Sequence, residues 1–133
     1  LVFTDNINSP TVINSFLLKK GTFNCDNKNL MAVDIGVVTS NRYKNIIQSS
    51  SSVMWNGPMG VFENQKFMCG TKQIAIAISK MKNQSKTSLV GGGDTVSAIK
   101  KIKLQKSFSY VSLSGGAILE FLSHNTLPVL CKI

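Results

Sequence analysis

Val90-Gly91-Gly92-Gly93-Asp94-Thr95-Val96 is a short apolar run that turns through three glycines into an acid and then into a helical pattern. Successive residues without a Cβ let backbone N–H groups approach an anion closely, and the helix that follows aims its positive end at the same place. Asp94 then stands where a phosphate-bound Mg²⁺ needs an oxygen ligand. On these residues alone the triplet also reads as a plain turn, and Asp94 as a helix cap, a role that Asp favours.

Outward from this stretch, periodicity alternates between short β-rich runs and helical patterns, which is the mark of an α/β chain. Ser52 to Trp55 reads as a buried strand. Ile74, Ala75, Ala77, Ile78 and Met81 then recur at helical spacing after a cap at Thr71. Thr87 to Val90 is the next strand, Thr95 to Ile102 the next helix, Phe108 to Leu113 a third strand and Gly116 to Leu122 a third helix. Pro128 to Cys131 adds a final extended segment, and Asn41 to Gln48 a helix capped by Thr39 or Ser40. Residues 1–30 are rich in Asn, Thr and Ser and give no firm reading. No internal repeat is present. In open parallel sheets ligands bind at the carboxyl ends of the strands, so the Gly91 to Thr95 loop and the loop after Trp55 are placed to share one ligand.

That second loop is Val53-Met54-Trp55-Asn56-Gly57-Pro58-Met59-Gly60-Val61-Phe62-Glu63. Together with Gly91-Gly92-Gly93-Asp94-Thr95 it closely resembles the nucleotide-binding part of the phosphoglycerate kinase family. Asp34-Ile35-Gly36, Gly70-Thr71-Lys72, Gly115-Gly116-Ala117 and Leu119-Glu120-Phe121-Leu122 follow in the family's order. The resemblance covers residues 31 to 129, and residues 1–30 match only loosely. It implies a three-layer Rossmann-like parallel sheet with flanking helices over residues 31–133, part of the family's C-terminal domain. It also implies site residues. Glu63 would hold the ribose hydroxyls of ATP or ADP, while Asn56, Gly57, Pro58, Val61 and Phe62 shape the nucleoside side and Ala32 lies against the adenine. Asp94 would hold Mg²⁺, and Gly92, Gly93 and Thr95 would meet the phosphates. Gly115 and Gly116 would face the phosphoryl group in transfer, the catalytic position. The implied activity is that of a phosphotransferase with a carboxyl acceptor, moving the acyl phosphate of 1,3-bisphosphoglycerate to ADP in glycolysis.

The departures from the family pattern fall at positions where geometry matters. Ala32 replaces a Gly, Val37 replaces the Pro after Asp34-Ile35-Gly36, and Leu113-Ser114-Gly115-Gly116-Ala117 stands for Thr-Gly-Gly-Gly-Ala. Leu127-Pro128-Val129-Leu130 stands for Leu-Pro-Gly-Val. A serine at Ser114 predicts a distorted or strained turn if that position needs a positive φ. Members of the family are longer and have two domains, with the triose site on the N-terminal one. The resemblance therefore predicts 3-phosphoglycerate binding only with that domain, and no activity from the chain by itself. The alternatives are a truncated, inactive remnant and a basic nucleic-acid-binding module.

Bulk properties bound the rest. A chain of 133 residues makes one domain with a real core. Fifteen basic residues against six acids give a net charge of +9, but fourteen of the fifteen are lysines and only Arg42 can form a bidentate phosphate fork. Lys100, Lys101 and Lys103 beside Ile99 and Ile102 read as the wet side of an amphipathic helix, so no specific nucleic acid is expected. Cys25, Cys69 and Cys131 have no metal-ligand spacing and point to a reducing compartment. No apolar run reaches the roughly 20 residues of a membrane span. Trp55 reads as core and His124 as an exposed bystander. The resemblance implies a cytoplasmic monomer, with a plastid left open because the chain does not begin with Met.

Overall fold

The computed structural model describes residues 2–4, 13–15, 31–81 and 85–127, so the extended segment expected at 128–131 lies outside the described residues. The chain divides into two compact units, each discontinuous in sequence. They are Leu1–Ser49 with Pro58–Ala77, and Ser50–Gly57 with Ile78–Ile133.

In the first unit, strands β1 (Val2–Thr4), β2 (Ile13–Ser15) and β3 (Met31–Asp34) form an antiparallel sheet of order β2-β1-β3. Phe3 stands opposite Ala32. This sheet is a departure from the parallel sheet predicted. Its pairing joins stretches nearly 30 residues apart in a segment of polar composition, where no periodicity announces it. Helix α1 spans Val37–Ser49 and begins before the predicted Asn41. Thr39 and Ser40 are thus inside the helix, and Ser40 N–H bonds the carbonyl of Gly36 at 2.9 Å. Val37 occupies the first helical position, where proline is also favoured because its N–H has no helical partner. The loss of the family's proline therefore leaves the helix start intact. A 3₁₀ turn (Gln65–Phe67) follows, capped by the Asn64 side chain, which accepts from Lys66 N–H. Then comes α2 (Cys69–Ser79). Phe67 and Ala75 are fully buried, and Val33, Phe62, Met68 and Ile74 are also buried in this unit.

In the second unit, β4 (Ser52–Asn56), β5 (Thr87–Gly91) and β6 (Tyr110–Ser112) form a parallel sheet in that order. The chain is therefore α/β as expected. Of β4 only Trp55 is buried, at 4 % exposure. A strand paired on one side alone leaves its other residues half open, so the fully buried strand predicted here is an edge strand among the described residues. β6 is shorter than the predicted Phe108 to Leu113. Phe108 is buried, and Ser109 N–H donates to Ser88 Oγ at 3.0 Å while Ser88 N–H donates to Ser109 Oγ at 3.1 Å. This side-chain staple takes the place of ladder bonds before the strand begins.

Helix α3 (Gly93–Lys101) starts two residues before the predicted Thr95, and α4 covers Gly115–His124. α3 buries Thr95, Val96, Ala98 and Ile99 and turns Lys100 and Lys101 to solvent at the end where the helix dipole favours cations. α4 ends at Asn125, whose φ of 54° is a left-handed conformation that Asn accepts. Both α3 and α4 pack on β5. Leu89, Ile118, Phe121, Leu122 and Leu127 line an open groove of about 420 Å³ beside α4. Tyr110, Leu113, Leu119, Phe121 and Leu122 are exposed. His124 is exposed as expected, and Cys69 is a free thiol.

Candidate functional site

The parallel register aligns three strand ends. Asn56 stands opposite Gly91, and Gly91 opposite Ser112, so β4, β5 and β6 finish level with one another. Gly92 N–H then donates to the carbonyl of Ser112 at 3.1 Å, which draws the β5–α3 turn onto the end of β6. Gly92 has φ 94° and ψ 139°, a conformation open to glycine. A Cβ there would stand 2.6 Å from Asn56 Oδ1. From the other side, a Cβ on Gly115 would stand 2.5 Å from the same oxygen and 2.9 Å from Gly92 Cα and N. The first turns of α3 and α4 are therefore in backbone contact, and the exposed Asn56 side chain brings its Oδ1 beside both glycines.

Such a junction has one chemical property that follows from helix geometry. The first N–H groups of each helix lack intrahelical acceptors, and both sets carry the positive end of a dipole. In α3 the earliest bond is from Val96 N–H to Gly92 O, and in α4 from Ile118 N–H to Ser114 O, so the N–H groups of residues 93–95 and 115–117 precede them. A side chain added at Gly93 or Gly116 would meet nothing within 4 Å. The cradle is open on that side and suits an oxyanion with several oxygens.

Asp94 lies exposed in the first turn of α3. Gly92 is the helix N-cap and receives no side-chain bond, so Asp94 is not the cap that it resembles in the sequence. Among the described residues no group of three His, Cys, Asp or Glu side chains could hold a metal ion. A single carboxylate beside an oxyanion cradle fits Mg²⁺, which keeps waters and takes substrate phosphate oxygens in preference to an all-protein cage.

Two expectations change in this unit. Ser114 has φ −94°, ordinary for any L-residue, so the serine imposes none of the predicted strain; its N–H donates to Ser112 Oγ at 3.2 Å. Thr95, expected at the phosphates, has a fully buried side chain whose oxygen accepts Gly57 N–H at 2.7 Å. Its hydroxyl ties the loop after β4 to α3. Asn56, a residue expected on the nucleoside side, has its Oδ1 beside Gly92 and Gly115.

Ala32, Pro58, Val61, Phe62 and Glu63 belong to the first unit. Ala32 and Glu63 are exposed, Pro58 and Val61 half-buried, and Phe62 packs its ring into the core. Val61 N–H donates to the carbonyl of Val33 at 2.8 Å, fixing this limb of the loop to the end of β3. Asp34, at 4 % exposure, accepts Ile35 N–H on Oδ1 and Gly70 N–H on Oδ2, each at 2.8 Å. It thereby satisfies a donor in the first turn of α2 from a distant strand. Sequence reading assigned Asp34 no such task, and only its place in Asp34-Ile35-Gly36 hints at one.

Burial pushes the Asp34 carboxyl up from its ordinary value, and the bonds from Gly70 and Ile35 partly oppose the rise. A folded-state pKa above the unfolded one gives stability that is complete below the unfolded value and is lost as pH rises through the folded one. The expected result is a urea midpoint that declines from about pH 4 upward more steeply in the unaltered chain than in Asp34→Asn. Parallel curves would show that Asp34 carries no such linkage.

The family profile of phosphoglycerate kinase matches residues 7–125. The chain belongs to the phosphoglycerate kinase family. The match begins well before residue 31, where the sequence resemblance starts, so the polar leading segment is part of the family pattern. Relatives include the phosphoglycerate kinases of Thermosipho africanus, 45 % identical over 77 % of this chain and 26 % of that protein, and of Chlorobium chlorochromatii, 46 % identical over 75 % and 25 %. Among solved structures, phosphoglycerate kinase from Coxiella burnetii has a TM-score of 0.78 at 33 % identity, covering 98 % of this chain and 32 % of that one. The Pyrococcus horikoshii enzyme gives 0.67 at 34 % identity over 77 % and 24 %. The chain thus spans about a quarter of the length of the curated relatives it matches. No helix among the described residues is long and apolar enough to cross a membrane.

Proposed function

We propose that this chain supplies the nucleotide end of a phosphoglycerate kinase, binding ATP or ADP with Mg²⁺ for phosphoryl exchange with 3-phosphoglycerate and 1,3-bisphosphoglycerate in glycolysis. The observation that carries the reading is the meeting of two helix N-termini at Gly92 and Gly115 around Asn56. Phosphoryl transfer is mostly positioning and charge stabilisation, and a double set of N–H donors in a fixed cradle provides both. The Gly93 and Asp94 N–H groups face the nucleotide phosphates. Gly115 and Gly116 present their N–H groups to the phosphoryl group in transfer. Mg²⁺, when bound, neutralises phosphate charge. Asp94 would offer it a carboxylate, and Glu63 would accept the ribose hydroxyls. Thr95 keeps the loop after β4 in register with the cradle and leaves the phosphates to backbone donors.

Titration calorimetry with Mg-ADP tests the reading. Asp94→Ala is expected to weaken binding by at least roughly 1.5 kcal/mol, about tenfold, through loss of a carboxylate to the metal. Equal affinity for the two chains would remove the α3 turn from the nucleotide site.

A further inference from the structure

The loop from Asn56 to Glu63 carries most of the residues assigned to the nucleotide, yet its first-unit limb, Pro58–Glu63, has no regular structure of its own to hold it. Its backbone is fixed from outside. Val61 N–H goes to the carbonyl of Val33, and Gly60 packs directly on Val33 and Asp34. Met59 N–H goes to Thr71 Oγ1 at 3.0 Å. Thr71 is the third residue of α2 and is 0 % exposed. Sequence reading makes Thr71 a helix cap, but the helix starts before it, and its oxygen is spent on the loop.

We propose that Thr71 is a positioning residue for nucleotide binding, holding the Pro58–Glu63 limb through Met59 so that the limb meets the nucleoside. The proposal rests on the nucleotide reading above. The support for Thr71 is itself anchored, because Asp34 takes the Gly70 N–H immediately before it. β3, the first turn of α2 and the limb therefore form one hydrogen-bonded unit. Val61 and Glu63 lie two and four residues beyond Met59, and the Asn64 N–H bond to Val61 O closes the turn that contains Phe62 and Glu63. Thr71 belongs to the first unit, and the residues of the phosphate cradle all belong to the second. Its loss should be felt at the nucleoside and not at the phosphates.

The test compares Mg-ADP with inorganic tripolyphosphate, which has neither base nor ribose, on the full chain. Thr71→Val keeps the branched shape and removes the acceptor. It is expected to raise the ADP dissociation constant about tenfold, the effect of an unpaired, partly buried donor on the limb, while tripolyphosphate affinity stays unchanged. Thr71→Ser restores the oxygen and should restore ADP affinity, along with slow hydrogen exchange of the Met59 amide. Equal loss of both ligands, loss of the fold in Thr71→Val, or no change in either ligand would overturn the positioning role. An unaltered chain that binds neither probe would overturn the nucleotide reading and the proposal with it. Binding by the unaltered chain with an indifferent Thr71→Val would overturn the proposal alone.

Discussion

Gly92→Ala is expected to abolish measurable Mg-nucleotide binding and to lower stability by about 2 kcal/mol or more. Two costs combine. A residue with a side chain at φ 94° and ψ 139° is strained in any surroundings, and here its Cβ would also stand 2.6 Å from Asn56 Oδ1. The Asn56 carboxamide is the far end of an exposed, flexible side chain and can swing aside, so the larger cost is the backbone strain, which falls on the turn that sets the cradle. The neighbouring substitution is the control, because a Cβ on Gly93 meets nothing within 4 Å and Gly93 is not at positive φ. Gly93→Ala should leave the urea midpoint level or raise it slightly, since alanine restricts the unfolded chain. Equal behaviour of the two variants would show that the cradle is not built on the Gly92 turn.

Phe67→Ala is expected to cost about 3–5 kcal/mol, the range for removing a buried aromatic side chain. Phe67 is 0 % exposed, in a 3₁₀ turn between the Phe62–Glu63 turn and α2, so the cavity has little freedom to collapse. Against the usual 5–15 kcal/mol of a folded domain, such a loss removes much of the margin. Circular dichroism on heating would show it. A thermal midpoint within a few degrees of the unaltered chain would mean that this unit tolerates the cavity by repacking.

The sequence made legible those features whose signal is local. The Gly92 turn, the apolar run of β5, the helical spacing from Ile74 to Ile78 and the basic face of α3 all depend on neighbours in the chain and fold as read, while Met81 falls in the turn after α2. Helix starts were misplaced because the usual side-chain caps are absent. α3 begins at a glycine with no capping bond, and α2 takes an acceptor from Asp34, 36 residues away. The antiparallel sheet was invisible for a similar reason, since β1 meets β3 only after the chain returns through a polar segment. The roles of Thr71 and Thr95 were missed because a buried hydroxyl and a capping hydroxyl look alike in sequence; their partners, Met59 and Gly57, are backbone groups of a distant loop. Ser114 errs the other way. A family glycine replaced by serine suggested a damaged turn, but a φ of −94° accommodates serine and removes that argument for a decayed remnant.

The exposed apolar side chains on β6, on α4 and at Leu113 between them bear on how the chain behaves at high concentration. Leu113 is 69 % exposed, Tyr110 66 % and Leu122 56 %, a surface that attracts its like in water. The net charge of +9 opposes this, keeping molecules apart over a Debye length of about 10 Å at 0.1 M salt. The two effects respond oppositely to ionic strength, because salt shortens the reach of the repulsion and leaves apolar attraction intact or stronger. Colloidal stability should therefore be greatest in dilute buffer, and a sulfate solution should bring self-association well before it disturbs the fold.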